Sequence, residues 1–432
     1  MAMPESTAGA LLARSGTPLV TPKGMGDLLP PEASARRALS LRVMRTFELS
    51  GYELVLPPVF EHAEVVQRGN DSLESRDLLR FVEPESGEVA VLRPDITPQI
   101  ARIVATRLCD HPSPFRLCYE GRVFRRLRGR ARSHGQISQA GVECVGLPEH
   151  DGDVEVLSLA TTACERVGLA EFRIELSDIR LVRSLLLSLP ADARAPISEL
   201  LAQKDAALLR AVAHNHGVSR DQIKQLEALL AHFGDRDVLD SAAKSFRWAE
   251  AKLALRNLRE ITERLDDLGA GSRVCFDLSE TRGLSYYTGM HFSILAQGPG
   301  EALGGGGRYD TLLHRFGFDA PATGFAVDLG HLQATLGAAC AQPREVRVVF
   351  AASERHVTEA ALQRLRDADL VCASLPERDA KRCLAFARTW GYDAVLTASA
   401  SQFRLLRVAD GSSHSLKEAD PGLIRRLARG PV

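Results

Sequence analysis

Apolar positions recur at helical spacing over residues 31–50, where Leu39, Val43 and Phe47 form one stripe. Pro30 and Pro31 stand where a helix start tolerates proline, and Gly51 marks the stop. Residues 52–56 predict a strand closed by Pro57 and Pro58. Within 78–93, LLRFV and EVAVLR alternate on either side of Pro84-Glu85-Ser86-Gly87, a hairpin pattern. Over 97–109, Thr97 is a good N-cap and Pro98 a good first helical residue; Ile100, Ile103, Val104 and Leu108 share a face. Strand candidates follow at 115–121, 122–126 and 137–146. The last two bracket the arginine-rich stretch LRGRARSHG, which predicts a hairpin with a long basic tip. Residues 151–167 read as an amphipathic helix and 172–177 as a strand.

From about 178 to 270 the pattern is almost purely helical. Strands resume at 273, so this stretch reads as a helical insertion. Segments 286–296 and 301–304 continue the sheet, and 310–317 and 328–339 are helical. A composition break falls at Ala338–Pro343. Beyond it the order becomes strand–helix–strand–helix–strand, which predicts a small α/β domain over 344–432 with a mostly parallel sheet. Residues 21–340 form the larger domain, an α+β unit of antiparallel sheet with helices, and residues 1–20 are a disordered lead-in.

Composition narrows the class. The 432 residues are 45% hydrophobic and 25% charged, ordinary globular values that exclude a disordered or collagenous chain. With 54 Lys+Arg against 55 Asp+Glu, the net charge of −1 argues against wholesale nucleic-acid or membrane-surface binding, leaving room for a local basic patch. No apolar run approaches the roughly 18 residues of a membrane span. The first twenty residues have no basic segment before their short apolar patch, so they do not read as a signal peptide. The 8 cysteines are dispersed and make no C-x-x-C, which points to buried thiols in a reducing cytoplasm. No Cys/His cluster has ligand spacing, so no metal is expected, and His214 and His216 read as a solvated loop.

Four features carry candidate chemistry. The first is the basic hairpin, Arg122, Arg125, Arg126, Arg128, Arg130 and Arg132, which is either a phosphate or nucleic-acid patch or a solvated face. On its returning strand Gln139, Gly141 and Glu143 alternate on one side, and Arg125 joins them if the register allows. The second is Arg93-Pro94-Asp95-Ile96-Thr97, between a strand and a helix start; capping accounts for Thr97 and leaves Asp95 unexplained. The third is Thr281–Gly289, where Arg282, Tyr286 and Tyr287 suit a pocket wall. The fourth is Gly304–Gly307 followed by Arg308-Tyr309-Asp310, four glycines entering a helix that let backbone approach a ligand closely. No G-K-[ST] follows, and there is no G-x-G-x-x-G, so neither the P-loop nor the dinucleotide fingerprint is present and no cofactor is expected.

Together these features resemble class II aminoacyl-tRNA synthetases of the histidyl type, and more closely their paralogue, the regulatory subunit of ATP phosphoribosyltransferase. The resemblance rests on LRPDITPQIARIVATRL (92–108), YEGRVFRR…SQAGVECVG (119–146), RGLSYYTG (282–289) and GGGGRYD…GFAVDLGHL (304–332). It covers about residues 20–340, and the C-terminal unit is similar to a shortened anticodon-binding domain. It implies a class II synthetase-like antiparallel sheet flanked by helices. It also implies a histidine pocket. Asp95 and Thr97 would face the ammonium group, and Gln139 and Arg125 the carboxylate. Glu143 and Tyr287 would hydrogen-bond the imidazole, with Arg282, Tyr286 and Tyr309 along the wall. An amino acid without ring nitrogens would leave buried polar groups unpaired and be rejected.

The departures from the synthetases fall on the nucleotide side. Their motif 3 ends Gly-Leu-Glu-Arg-Leu, and its arginine grips the outer phosphates of ATP; here the stretch reads Asp328-Leu329-Gly330-His331-Leu332. Leu127 stands where motif 2 has a glutamate. Losing one positioned charge donor costs roughly 10²–10³ in rate, so these changes predict that adenylation has been abandoned and that the chain is not an enzyme. The resemblance then implies a non-catalytic subunit that binds L-histidine and assembles with the short catalytic ATP phosphoribosyltransferase, at the first step of histidine biosynthesis. It would report end-product level as a homodimer within a hetero-oligomer. Feedback requires histidine to prefer one of two states, typically by about 1–3 kcal/mol. A divergent histidyl-tRNA synthetase is the alternative, favoured by length and the C-terminal unit and opposed by His331. A tRNA-sensing module acting through the basic hairpin is a third reading, and tRNA is otherwise not an expected partner.

Overall fold

The computed structural model describes residues 20–69, 78–125, 135–284, 286–298, 300–340, 345–351, 355–377, 379–399 and 402–430. The chain divides into two compact units, Met1–Cys340 and Ala341–Val432. The lead-in expected before residue 20 and the arginine-rich tip at 126–134 lie outside the described residues.

The strands of the first unit are β1 (Glu53–Leu54), β2 (Phe60–His62), β3 (Leu79–Val82), β4 (Val89–Leu92), β5 (Phe115–Phe124), β6 (Gln136–Val145), β7 (Arg173–Asp178), β8 (Phe233–Gly234), β9 (Val274–Asp277), β10 (Met290–Leu295), β11 (Gly304–Arg308) and β12 (Ala322–Asp328). Nine of them form one sheet in the order β1-β5-β6-β12-β11-β10-β7-β9-β8, and β2-β4-β3 form a small second sheet. Only the β1–β5 and β7–β9 pairs of the large sheet are parallel.

Alternation divides this sheet into two faces. Val142, Phe325, Phe292 and Leu176 occupy a shared row across β6, β12, β11, β10 and β7, and all are buried. They pack towards the helices Glu32–Leu49 and Asp151–Arg166; Phe47 meets Phe325 edge-on with ring centroids 5.6 Å apart. The stripe read from the sequence, Leu39, Val43 and Phe47, is the buried side of that first helix, which ends before Gly51 at φ +85°. Removing these apolar faces from water is the main stabilisation of the unit.

Several expectations are corrected. The two candidates at 115–121 and 122–126 are one continuous strand, β5. Gly121 is no break: it pairs with Gln139, and a Cβ there would lie 2.0 Å from the Arg93 guanidinium, so glycine admits a close approach. The four glycines Gly304–Gly307 do not enter a helix directly but belong to the central strand β11, and the helix after them spans only Thr311–His314. The segment between 178 and 270 holds six helices, from Ile179–Leu187 to Ala249–Asp267, but also the two-residue strand β8, which pairs with β9 at the sheet edge. Thr97 is not a cap: the helix Thr97–Ile103 starts without a side-chain cap from its N-cap residue, Ile96, and continues as a widened turn over Val104–Leu108. Not every thiol is buried either, because Cys109 is exposed and Cys275 and Cys372 are half-buried.

The second unit has the strand order β14-β13-β15-β16-β17, with β13 (Arg347–Ala351), β14 (Val371–Leu375), β15 (Ala394–Ser399), β16 (Gln402–Arg407) and β17 (Ser413–Leu416). β13 runs parallel to β14 and β15, as the alternating pattern predicts, whereas β16 and β17 add an antiparallel edge not foreseen. Val348, Phe350, Leu396, Leu405 and Ile424 fill one face, and Val349, Val395, Cys383 and Ala387 the other.

Candidate functional site

On the second face, the rows that cross the middle of the large sheet carry polar or very small side chains, while Phe115, Leu117 and Val145 at one side join an apolar cluster. Glu143, Gly324, Gly307 and His291 are aligned partners on β6, β12, β11 and β10. Gly141, Ala326, Gly305 and Ser293 form the next row. Small residues at the centre and large ones at the margins leave a trough, and above it lies a cleft of about 800 Å³. Backbone at Gly304, Gly305 and Gly306 lines its floor. The register also settles Arg125. Gly121 opposes Gln139, and the Arg125 amide donates to Gly135 O at 2.7 Å, so Arg125 shares the face of Gln139 and Glu143.

All nine residues singled out from the sequence line this one cleft: Asp95, Thr97, Arg125, Gln139, Glu143, Arg282, Tyr286, Tyr287 and Tyr309. Glu143 is its hub. Thr97 Oγ1 donates to Glu143 Oε1 at 2.6 Å and Tyr119 OH to the same oxygen at 3.1 Å, while Tyr309 OH donates to Oε2. Burial pushes the Glu143 carboxyl well above the usual carboxylate range; the Thr97 and Tyr119 hydroxyls pull it back and the nearby Asp95 charge pushes it further up. Asp95 does the capping assigned to Thr97, since its Oδ1 accepts from the amides of Ile96 at 2.7 Å and Thr97 at 3.4 Å. Among the described residues its second oxygen has no partner.

The aromatic wall is continuous. The ring of Tyr286 lies 5.2 Å from that of Tyr287 and 5.3 Å from that of Tyr309. Gly283, at φ +76°, presses against Tyr287, where a Cβ would sit 2.4 Å from the ring. Arg183, on the helix Ile179–Leu187, donates to both Leu284 O and Tyr287 O and so fixes the turn bearing the two tyrosines. Arg282 is less available than its motif implies. Its Nε donates to Glu280 Oε2 at 2.7 Å and its Nη2 reaches Glu175 Oε1 at 3.4 Å. Arg125 donates its Nε to Pro94 O at 2.9 Å and has no carboxylate partner among the described residues.

Among the described residues, Gln139 Oε1 and Tyr286 OH are buried at this wall without a partner. A buried polar atom left unpaired costs about 1–3 kcal/mol, so such atoms in a cleft mark where a polar ligand compensates them.

At the other end Arg36 and Arg122 line the cleft together with Asp328. Arg36 donates to Gln333 Oε1 at 2.5 Å; burial lowers its pKa, and Arg122 lowers it further against the opposing pull of Asp328. Asp328 caps the helix Leu329–Leu336, accepting from the amides of Gly330 at 2.7 Å and His331 at 3.1 Å. His331 Nδ1 lies 3.3 Å from Ala302 O. Beyond Arg282, the carboxylates of Glu175, Asp277 and Glu280 cluster, but Lys204 Nζ already donates to Asp277 at 2.7 Å and Arg282 engages the other two.

Sequence reasoning missed Arg36, Ser293 and His291. Arg36 sits on a helix whose polar side gave no motif. The other two belong to β10, and only the cross-strand register shows that they face the same trough as Glu143.

A sheet antiparallel except at two pairs, backed by helices and troughed on its open face, is the class II aminoacyl-tRNA synthetase architecture. The sequence model of the histidyl-tRNA synthetase family matches residues 24–332. An ATP phosphoribosyltransferase regulatory subunit of Syntrophotalea carbinolica is 34% identical over 404 residues, 91% of this chain and 94% of that protein. Another, from Anaeromyxobacter dehalogenans, is 41% identical over 334 residues, 76% of this chain and 95% of that one. The solved structure of an ATP phosphoribosyltransferase regulatory subunit/histidyl-tRNA synthetase from Bacillus halodurans superposes with a TM-score of 0.78 at 26% identity, covering 92% of this chain and 100% of the other. Histidyl-tRNA synthetase from Nostoc sp. PCC 7120 shares the fold, with a TM-score of 0.77 at 22% identity over 95% and 98% of the two chains. The chain belongs to the histidyl-tRNA synthetase-like family, in its branch of ATP phosphoribosyltransferase regulatory subunits.

Proposed function

We propose that this chain is a non-catalytic regulatory subunit of ATP phosphoribosyltransferase that binds L-histidine in the cleft and reports its level to the catalytic subunit. Its role then lies at the first step of histidine biosynthesis. The observation that carries this reading is the pairing of a cleft lined by every residue of the expected amino-acid cradle with a nucleotide end that lacks the motif 3 arginine. The free oxygen of Asp95 suits an ammonium group, Arg125 a carboxylate, and the unpaired Gln139 Oε1 and Tyr286 OH further polar atoms of the ligand. In this reading Glu143 and Tyr287, which line the same cleft, hydrogen-bond the imidazole ring. At the nucleotide end His331 stands where synthetases carry the arginine, and a weakly basic imidazole cannot supply the same fixed charge.

Regulation follows only if histidine binds one state of the complex better than another, because equal affinity shifts nothing. The decisive experiment is co-purification with the short catalytic subunit, with phosphoribosyltransferase activity followed across a histidine titration. Activity should depend on this chain and fall as histidine rises. Isothermal titration should show histidine binding, and ATP–pyrophosphate exchange should be absent.

The divergent synthetase remains the second reading, because Arg125 and Arg282 both reach the cleft; vigorous exchange or aminoacylation of tRNA would establish it. Self-association also belongs to this proposal. Phe60 (46% exposed) and Phe81 (38%), with ring centroids 5.5 Å apart, form an exposed apolar area on one face of the small β2-β4-β3 sheet. Such an area suits a second copy of the chain, as in a homodimer within a hetero-oligomer. Among the described residues no helix is long and apolar enough to cross a membrane, and the proposed site of action is the cytoplasm.

A further inference from the structure

His291 is the least explained residue of the trough. It is 4% exposed, and among the described residues neither of its ring nitrogens has a hydrogen-bond partner. It lines the cleft, and its ring stacks on Tyr287 with centroids 5.7 Å apart and planes 16° from parallel. Cross-strand register puts it in the row that begins with Glu143, with only Gly324 and Gly307 between them. Neither glycine raises a side chain from the sheet. The row is therefore a trough with a carboxyl at one end and an imidazole at the other.

We propose that His291 is a further specificity-determining residue of this site, whose ring nitrogens hydrogen-bond the imidazole end of bound histidine from the side opposite Glu143. The proposal rests on the reading of the cleft as a histidine site. Burial depresses the His291 pKa to about 4, against the pull of Glu280 and Asp178 and with the help of Arg282, while Asp277 opposes it. The ring is therefore neutral near neutral pH and offers one donor and one acceptor. A ligand imidazole presents the same complement, so either tautomer of one can pair with the matching tautomer of the other. A site that satisfies such atoms only when the right ligand is present rejects a ligand lacking them. A packing role predicts something different, because stacking on Tyr287 needs the ring and not its nitrogens.

The test compares H291F and H291Q with the unaltered protein by isothermal titration of L-histidine and by thermal unfolding without ligand. Phe keeps an aromatic ring beneath Tyr287 and removes both nitrogens; Gln keeps a donor and an acceptor. The expected result is affinity about tenfold weaker in H291F and largely recovered in H291Q. The unfolding midpoint of ligand-free H291F should equal or exceed that of the unaltered protein, since two unpaired polar atoms have left a buried site. Equal histidine affinity in H291F and the unaltered protein overturns the proposal and leaves the histidine reading intact. Equal losses in H291F and H291Q overturn it as well, by showing that shape rather than hydrogen bonding matters. Failure of the unaltered protein to bind histidine overturns both the proposal and the reading on which it rests.

Discussion

The Thr97 hydroxyl donates to Glu143 Oε1 at 2.6 Å and so ties the start of the Thr97–Ile103 helix to the returning strand of the β5–β6 hairpin. Residues 46 apart in sequence meet because Asp95 takes over the capping of the helix amides and leaves the threonine side chain free to reach across. T97V removes the donor at nearly constant volume. It should lower stability by about 1 kcal/mol, the ordinary net value of one hydrogen bond, and weaken histidine binding by roughly tenfold. T97S should restore both. Urea unfolding and calorimetric titration measure the two effects separately.

The same carboxyl sets a pH dependence. Burial holds Glu143 well above its ordinary value of 4.5, so above pH 4.5 the folded protein keeps a proton that the unfolded chain has lost. The contribution to stability is fully present below 4.5 and is lost as pH rises through the folded value. E143Q cannot titrate and removes this slope. Unfolding midpoints taken from about pH 5 to about pH 8 should show the unaltered protein losing stability relative to E143Q as pH rises. E143Q should bind histidine poorly at every pH, because an amide replaces the acceptor shared by Thr97, Tyr119 and Tyr309.

Arg183 joins the helical insertion to the tyrosine wall through the carbonyls of Leu284 and Tyr287. Burial lowers its pKa, and the charge of the nearby Asp178 favours the cation. R183A should release the turn and weaken histidine binding, by about 1.5–3 kcal/mol if both charge-assisted bonds are lost. R183K should recover part of that, because an ammonium donates to carbonyls but does not hold two of them in one plane. Hydrogen exchange at Tyr286 and Tyr287 should rise in R183A while that of the sheet core stays unchanged, which separates loosening of the turn from global unfolding.

What could be read in the sequence follows the range of each physical signal. The stripe of Leu39, Val43 and Phe47 is a local periodicity, and the helix Glu32–Leu49 follows it. The alternation of Gln139, Gly141 and Glu143 is also local and places all three on the cleft face. The capping error at Thr97 has a different origin: two residues, Asp95 and Thr97, compete for the same amides, and only the tertiary pull of Glu143 decides between them. Arg282 was legible as a wall residue but not as an ion-paired one: Glu280, two residues before it, meets it within a local turn that no motif marks, and Glu175 comes from a strand whose approach depends on the fold. His291 was invisible for a similar reason. Its row partner Glu143 lies three strands away across the sheet, and no local pattern encodes that register.

The glycines were misread most, and they give the sharpest remaining prediction. Gly-rich sequence has low strand propensity and reads as a turn, yet Gly324 and Gly304–Gly307 lie in neighbouring central strands. A Cβ at Gly324 would stand 2.1 Å from Glu143 Oε2, 2.4 Å from Val142 O and 2.7 Å from Tyr309 OH. The carbonyl is backbone and cannot swing aside, and the other two atoms belong to the Glu143 network at the cleft. G324A should therefore abolish histidine binding and destabilise the fold by about 1–3 kcal/mol through overpacking. Gly317 supplies the control. It has φ +82° and open space where a Cβ would go, so G317A costs about 1–2 kcal/mol of backbone strain without touching the cleft. Two variants of similar thermal stability should then differ completely in histidine binding. Equal binding by both would show that the glycine trough does not shape the site.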